Sequence, residues 1–360
     1  MININKHIII LFILSLFFTF SSCEDNFYDL METENRTTSQ SPDADKWTQA
    51  VISITGREGM ITINDTSTNK TYLFGGRDYG IVRSDLWVVD NTTNSSQYLG
   101  NGMARAFASG AIINNKLYIF GGIDSSNSLN NDFLVYDIAS NTWGEILSSS
   151  TTGASPNSRY RHAGFGYNNL VFIHGGATSY GEGYNSSSIT DKYIYSFDPD
   201  TLTWDKLSKG PLLMDHSAVV SGSSLYFFGG FGKNPQLSLI DFSNILWKYT
   251  YDALDDDDST EYDTDTWSIV TAITNDQKRC STAMVSLNDT LYMISGYNGA
   301  TINNILSYNT SNDTWTVIDL LTTPRFNHSA WVFDDAVKIF GGLSEDSGNL
   351  YPEDIWTYTP

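Results

Sequence analysis

The chain contains only two cysteines, Cys23 and Cys280, which excludes a fold held together by a disulfide framework. Basic residues are also scarce, with 20 Lys and Arg against 41 Asp and Glu and a net charge of −21. Nucleic-acid partners are therefore excluded, because phosphate binding requires clustered Lys and Arg. No apolar run reaches the roughly 18 residues that a membrane-spanning helix needs. The fold must therefore rest on its apolar core.

The N terminus has the pattern of a secretory signal peptide. Lys6 precedes the apolar run Ile8–Phe20, and small residues follow it up to Cys23. A charged start, a short apolar stretch and small residues at its end are typical of a cleaved signal. We therefore expect residues 1–22 to be a signal peptide and the protein to lie outside the cytoplasm.

Cys23 resembles the lipidated cysteine of a bacterial lipobox, although Phe20 departs from the aliphatic residue usual there. The alternative is an ordinary secreted protein that is cleaved near Ser22. Residues 23–42 are polar and acidic, which predicts a disordered tether. A membrane would then be contacted only through a lipid on Cys23. Ten Asn-x-Ser/Thr sequons, among them Asn91 and Asn288, would be glycosylated in a eukaryotic secretory pathway.

An internal repeat organises the chain from about Trp47 to the C terminus. Each copy contains an apolar strand that ends in two glycines, and Ser295 replaces the first glycine in the fifth copy. The pairs are Gly75-Gly76, Gly121-Gly122, Gly175-Gly176, Gly229-Gly230, Ser295-Gly296 and Gly341-Gly342. Their first positions are separated by 46, 54, 54, 66 and 46 residues.

A second pattern follows most glycine pairs: an acidic residue ends a strand, and a Trp stands six residues later. Asp137 precedes Trp143, Asp198 precedes Trp204, and Asn309, in place of Asp, precedes Trp315. The glycine pair, the Tyr-Asp step and the spaced Trp resemble the kelch repeat, whose period is about 50 residues. This resemblance implies an all-β propeller of four-stranded antiparallel blades around a channel.

The two ends of the repeat region predict how the ring closes. The last copy stops at Asp354–Tyr358, its third strand, while Trp47 lies in an orphan fourth strand at the N-terminal end. We expect this N-terminal strand to complete the last blade, so that residues 43–360 form a six-bladed kelch propeller without an open edge. Blade 1 lacks the spaced Trp, and Tyr98 lies near that position.

Two sets of residues are candidates for ligand binding. In a propeller, the 2–3 and 4–1 loops share one face, and loops on a rigid scaffold often carry recognition. The aromatic candidates in these loops are Tyr79, Tyr180, Tyr184, Phe231, Tyr297 and Tyr351. Aligning the start of each first strand places basic residues at one position, which Leu213 occupies in blade 4. These are Arg57, Arg105, Arg159, Lys278 and Arg325.

The basic position has two interpretations. A ring of guanidinium groups near the channel mouth predicts an acidic peptide or an anionic sugar as ligand. The alternative is a structural role, because Arg at this position is common in kelch repeats and can pair with neighbouring groups. The acidic insert at 255–265 is interpreted as a solvated loop rather than a calcium site, since its spacing matches no calcium loop.

Nothing in the sequence predicts a metal or another cofactor. His162, His216 and His328 occupy equivalent positions in blades 3, 4 and 6, which indicates a structural role, and no His pair has metal-ligand spacing. Kelch enzymes offer two alternatives, a copper oxidase similar to galactose oxidase and a sialic-acid mutarotase. The catalytic residues of neither can be matched here. A buried acid–Arg pair in the channel would favour an enzyme.

The sequence therefore predicts a monomeric, non-catalytic kelch module that lies outside the cytoplasm. Its expected partner is a protein or carbohydrate ligand, which would bind at one face of the propeller. A structural or adhesive surface protein is a further alternative, because propeller scaffolds host many unrelated activities.

Overall fold

The structure, a computed structural model, describes residues 42–181, 188–189, 191–233, 240–251, 266–321, 323–345 and 350–360. The predicted signal peptide, Cys23, the tether, Tyr184 and the acidic insert lie outside these residues. In the described part of the chain, no helix is long and apolar enough to cross a membrane.

Six antiparallel sheets, each with four main strands, follow one another along the described chain. Blade 1 consists of Ile61–Asp65, Lys70–Phe74, Asp85–Asp90 and Ser95–Asn101. Blade 2 consists of Ser109–Ile113, Lys116–Phe120, Phe133–Asp137 and Thr142–Ile146. Blade 3 consists of Ala163–Tyr167, Leu170–His174, Tyr193–Asp198 and Thr203–Lys209. Blade 4 consists of Leu213–Ser221, Ser224–Lys233, Ile245–Thr250 and Thr266–Ala272. Blade 5 consists of Ala283–Leu287, Thr290–Ile294, Asn304–Asn309 and Thr314–Leu320. Blade 6 consists of Ser329–Phe333, Ala336–Phe340, Asp354–Tyr358 and Trp47–Val51.

Short elements decorate the blades. Thr152–Gly153 pairs in parallel with the outer strand of blade 3, and Ile240–Phe242 pairs with the second strand of blade 4. Arg77–Asp78 and Ile81–Val82 form a small hairpin in the 2–3 loop of blade 1. The 3₁₀ turns are Ala44–Lys46, Ser148–Ser150 and Asn275–Gln277.

The N-terminal strand closes the ring, as the sequence predicted. Trp47–Val51 pairs antiparallel with Asp354–Tyr358, so Trp47 lies opposite Tyr358 and Val51 opposite Asp354. The Trp47 indole nitrogen donates to an Asp319 carboxylate oxygen of blade 5 at 3.1 Å. The first described strand therefore supplies both the missing edge of blade 6 and a contact to its neighbour.

The glycine pairs lie where consecutive blades approach most closely. The second glycine donates its N–H to the main-chain carbonyl at the Arg position of the next blade, at 2.8–3.1 Å around the ring. At the first glycine, an added Cβ would collide with that same carbonyl; at Gly341 it would lie 2.6 Å from the Arg57 oxygen. In the fifth blade, Ser295 keeps a positive φ of 51°, and its hydroxyl accepts a hydrogen bond from the Arg325 amide.

Aromatic side chains fill most seams between blades. Trp143, Trp204 and Trp315 contact Phe74, Phe120 and Phe228 of the preceding blades, with ring centroids 4.8–5.5 Å apart. Each such contact buries large apolar area in a seam.

Blade 1 fills its seam differently, and Tyr98 does not take the Trp position. The residue in register with that position is Ser96, while Tyr98 packs on Trp87 and is 48% exposed. Trp331 of blade 6 is buried against this seam instead, and its indole donates to Asn91 at 2.7 Å.

The glycine pair gives a test of the blade junction. We predict that Gly341→Ala lowers the free energy of unfolding far more than Gly80→Ala. Both glycines have positive φ, 67° and 77°, so both substitutions carry the cost of a left-handed alanine, about 1–2 kcal/mol. A Cβ at Gly80 meets nothing within 4 Å, whereas at Gly341 it meets the Arg57 carbonyl. Equal shifts in the midpoint of chemical unfolding would contradict this account.

Candidate functional site

A closed ring of six backbone hydrogen bonds surrounds the channel. It lies two residues after the Arg position of each blade and consists of Gly59, Phe107, Arg161, Asp215, Ser281 and Asn327. Each amide donates to the carbonyl of the equivalent residue in the preceding blade at 2.8–3.0 Å. All six have φ between 51° and 61°, a conformation that costs roughly 1–2 kcal/mol in residues other than glycine. We call these residues the inner ring.

The inner ring borders a cavity of about 190 Å³ at the channel mouth. The residue after each inner-ring position also lines it, and these are Met60, Ala108, His162, His216, Thr282 and His328. At ~30 Å³ per water, the cavity has room for about six waters. It is smaller than the pockets of ~300–1,000 Å³ that hold drug-sized ligands. One small group, such as a sugar ring or a side chain, matches this volume.

Two ion pairs lie at the mouth. Arg161 pairs with Asp215 at 2.8 Å, and Arg77 pairs with Glu58 at the same distance. The second carboxylate oxygen of Glu58 accepts a hydrogen bond from the side-chain amide of Asn327 at 2.8 Å. Both carboxylates are buried, with side-chain exposures of 5% for Asp215 and 6% for Glu58. Among the described residues, these two pairs give the mouth two positive and two negative groups, so this part of the mouth is balanced in charge rather than basic.

Phe107 holds the two guanidinium groups in place. The guanidinium carbon Cζ of Arg77 lies 5.2 Å from the Phe107 ring centroid, and Cζ of Arg161 lies 5.0 Å from it. Such cation–π contacts contribute ~0.5–2 kcal/mol each, and more when water is excluded. A Cβ at Gly59 would lie 2.6 Å from the Phe107 ring, so glycine makes room for it.

The predicted aromatic residues that the structure describes differ in exposure. Tyr79 is 71% exposed, whereas Tyr297 and Tyr351 are buried. Tyr180 accepts a hydrogen bond from Arg77 at 3.4 Å, and its ring packs on Tyr160. Phe231 is half-buried, and Tyr297 packs among apolar side chains of blades 4, 5 and 6.

Four of the predicted basic residues are buried in ion pairs and do not reach the cavity. The pairs are Arg57–Asp85 at 2.5 Å, Arg105–Asp132 at 2.8 Å, Arg159–Asp191 at 2.7 Å and Arg325–Asp354 at 3.9 Å. These four arginines are 0–4% exposed, and Arg57, Arg159 and Arg325 also donate to the carbonyl of the first glycine of their own blade. Burial lowers the pKa of Arg325 to about 10, while Asp354 acts in the opposite direction. The geometry favours the structural interpretation of this position.

The prediction for blade 5 was displaced by one residue. Arg279, not Lys278, occupies the Arg position, and its guanidinium donates to the Ser295 carbonyl at 3.2 Å and to Asn304 at 2.9 Å. Lys278 instead pairs with Asp241 at 2.6 Å. In blade 4, Leu213 takes the Arg position, and Ile245 stands in the register where blade 2 has Asp132.

The four histidines in the described part of the chain are buried. Burial lowers the pKa values of His216 and His328 to about 3 and holds those of His162 and His174 well below the ordinary value. The His174 and His216 ring nitrogens lie 2.9 Å apart across the seam between blades 3 and 4. Among the described residues, no cluster of His, Cys, Asp or Glu could hold a metal ion.

Comparison with known proteins agrees with this architecture. The family model of the KLHDC2/KLHL20/DRC7 Kelch-repeats domain matches residues 27–230, more than half of the chain, and a Kelch motif model matches residues 278–319. The chain belongs to the kelch-repeat family. The solved structure of YjhT superimposes with a TM-score of 0.66 over 84% of this chain and 95% of YjhT, at 16% identity, which shows the fold alone.

Several curated kelch relatives match part of the chain. The Leucine-zipper-like transcriptional regulator 1 homolog of Drosophila melanogaster is 23% identical over 67% of this chain and 24% of its own length. Kelch-like protein terF of Aspergillus terreus is 27% identical over 53% of this chain and 40% of its own. Kelch domain-containing protein 3 of Rattus norvegicus is 27% identical over 49% of this chain and 48% of its own length. The chain thus spans between about a quarter and a half of these relatives.

Sequence reasoning missed the residues that form the mouth. Glu58, Arg77, Phe107, Arg161 and Asp215 were not among the candidates, although each stands at a fixed distance from an Arg position or a glycine pair. One sequence signal could have identified them: the residue type at the inner-ring position is different in every blade. Positions that a repeat does not need for packing are free to carry binding groups.

The ion pair of blade 2 gives a second test. We predict that Asp132→Ala destabilises the protein by about 3–5 kcal/mol, because it leaves the buried Arg105 charge uncompensated. The double variant Arg105→Leu with Asp132→Ile reproduces the Leu213 and Ile245 of blade 4 and should lie much closer to the wild type. The free energy of unfolding from chemical denaturation measures both. If the double variant is as unstable as Asp132→Ala, the pairing account is wrong.

The buried histidines predict a loss of stability in mild acid. The unfolded chain binds protons at histidine below a pKa of about 6.5, whereas native His328 stays neutral down to about 3. Stability therefore falls as the pH drops below 6.5, by about 2 kcal/mol per such histidine between pH 7 and pH 5. His328→Thr, which copies Thr282 at the equivalent position, should reduce this pH dependence by that amount. An unchanged dependence in unfolding measurements from pH 7 to pH 5 would refute the assignment.

Proposed function

We propose that this kelch protein is a recognition module displayed outside the cytoplasm, and that it binds a carbohydrate or protein ligand at the channel mouth. The predicted signal peptide at residues 1–22 supports this location, whether Cys23 is lipidated as its resemblance to a lipobox suggests or the chain is cleaved near Ser22 and secreted. The kelch propeller supplies the rigid scaffold. The family alone does not indicate a ligand, because function resides in the site rather than in the fold.

The observation that carries this proposal is the preformed cavity bordered by the inner ring. Backbone hydrogen bonds hold its residues in a conformation that side chains other than glycine seldom adopt, and such strain is concentrated at binding and catalytic sites. The Arg161, Asp215, Ser281 and Asn327 side chains border one small space. A ligand that enters it meets donors and acceptors that are already oriented, which reduces the entropic cost of binding.

One observation favours a second candidate function, a carbohydrate-active enzyme. The Arg161–Asp215 pair is the acid–Arg arrangement in the channel that would indicate an enzyme, and Asp215 is nearly buried. Asp215 is the one carboxylate among the described residues that line the cavity. General acid–base catalysis would need a second titratable group, and those among the described lining residues are His162, His216 and His328, which burial holds in the neutral form. Recognition needs no such group, and we therefore place it first.

Ligand screening of the full chain by isothermal titration calorimetry tests the proposal. We expect that Asp215→Asn and Arg161→Gln abolish or weaken by at least tenfold the binding of any hit, since both remove a charge from the cavity. Asn tolerates the left-handed backbone at position 215, and the melting temperature of each variant checks that the fold is preserved. Lys116→Gln is the matched control, because Lys116 forms an exposed pair with Asp137 on the second blade.

The outcomes separate the alternatives. Hits that survive both mouth variants would place the binding site elsewhere and refute the proposal. Hits that the mouth variants abolish support it, and chemical conversion of the bound ligand, followed by NMR, would establish the enzyme instead. Asp215→Asn would then stop conversion in the presence of a saturating ligand.

A further inference from the structure

We propose that the ligand is a neutral oligosaccharide, with one sugar ring in the channel mouth and a neighbouring ring stacked on Tyr79. This inference rests on the proposed function, because it takes the mouth as the binding site and adds the ligand class. It depends on two features of the described residues: the Tyr79 hairpin and the charge balance of the cavity.

Tyr79 stands at the tip of a strained hairpin turn. Arg77–Asp78 pairs with Ile81–Val82, and the two turn residues Tyr79 and Gly80 have φ of 47° and 77°. Two-residue turns with positive φ at both positions strongly favour Asn-Gly. A bulky aromatic residue seldom adopts this conformation, and such outliers point to function. Tyr79 is nevertheless 71% exposed.

The hairpin is held rigidly, so the Tyr79 ring is preorganised. Asp78 is buried, and one of its oxygens accepts from Arg83 at 2.7 Å. The buried Tyr351 ring meets Tyr79 edge to face, with centroids 4.9 Å apart. A fixed, exposed aromatic face attracts the C–H bonds of a pyranose ring, because the face of the π-system is negative and these hydrogens carry partial positive charge.

The hairpin and the cavity form one continuous surface through Arg77. Arg77 belongs to the hairpin, stacks on Phe107 of the inner ring, and pairs with Glu58 at the mouth. The cavity, at about 190 Å³, holds one sugar ring, so the rest of a longer ligand must leave across the rim. Tyr79 lies two residues from Arg77, where the next ring of such a ligand would rest.

The charges at the mouth favour a neutral ligand. Arg77 and Arg161 are each neutralised by a buried carboxylate, and an anionic ligand would meet Glu58 and Asp215 as well as the guanidinium groups. The net charge of −21 adds long-range repulsion of polyanions. Sugar hydroxyls both donate and accept hydrogen bonds, so they match a rim where carboxylates alternate with guanidinium and amide groups.

Calorimetry on the full chain tests this inference with three groups of probes. The neutral probes are the tetrasaccharides and monosaccharides of cellulose, starch, chitin and mannan. The anionic probes are tetragalacturonate and a hexaglutamate peptide. The variants are Tyr79→Asn and, as a control, Tyr98→Asn, which removes a 48% exposed ring from the outer strand of the same blade.

We expect a neutral tetrasaccharide to bind, and Tyr79→Asn to weaken it at least tenfold while the affinity for the monosaccharide and the melting temperature are kept. Asn-Gly suits the turn, so a loss of binding cannot come from a misfolded hairpin. Tyr98→Asn should leave both affinities unchanged.

Each other result has a definite meaning. Binding of the anionic probes alone, in a manner abolished by Asp215→Asn, would overturn this inference and leave the mouth as the binding site. A tetrasaccharide that binds equally well to Tyr79→Asn would overturn the stacking role. Absence of binding by every neutral probe would overturn the ligand class. Hits that survive Asp215→Asn and Arg161→Gln would overturn the proposed function as well.

Discussion

The structure depends on the ring of backbone hydrogen bonds around the channel. A propeller blade makes most of its hydrogen bonds within its own sheet, so the ring needs a separate connection between blades. Here the amide two residues after each Arg position bonds to the preceding blade, and the second glycine of each pair bonds to the following one. Both connections require left-handed backbone, which explains why glycine recurs and why five inner-ring side chains are held in a strained conformation.

This constraint separates packing from recognition. The glycine pairs, seam aromatic residues and buried Arg–Asp pairs repeat from blade to blade because each solves the same packing problem. The inner-ring residues share no packing role, because their identity differs from blade to blade and ranges from glycine to arginine around one cavity. A rigid ring with variable side chains gives a binding site whose polar groups are oriented before the ligand arrives.

Much of the fold followed from the sequence, whereas the site did not. The glycine pairs and the Trp47 strand predicted six blades and their closure, because spacing and strand order are local properties. The basic position was harder, since Arg105 and its partner Asp132 lie 27 residues apart and only the fold shows that they neutralise each other. The slip from Arg279 to Lys278 shows how one residue changes the assigned role. The mouth itself is assembled from different blades, and no local pattern reports it.

The most direct test of this account is amide hydrogen exchange of the ligand-free full chain, measured by NMR. If the ring is the element that joins the blades, the amides of Phe107, Arg161, Asp215, Ser281 and Asn327 should exchange together, and only through global unfolding. Exchange of any of these amides at a free energy well below that of global unfolding would show that the ring opens locally. The mouth would then not be preorganised, and the account would be contradicted.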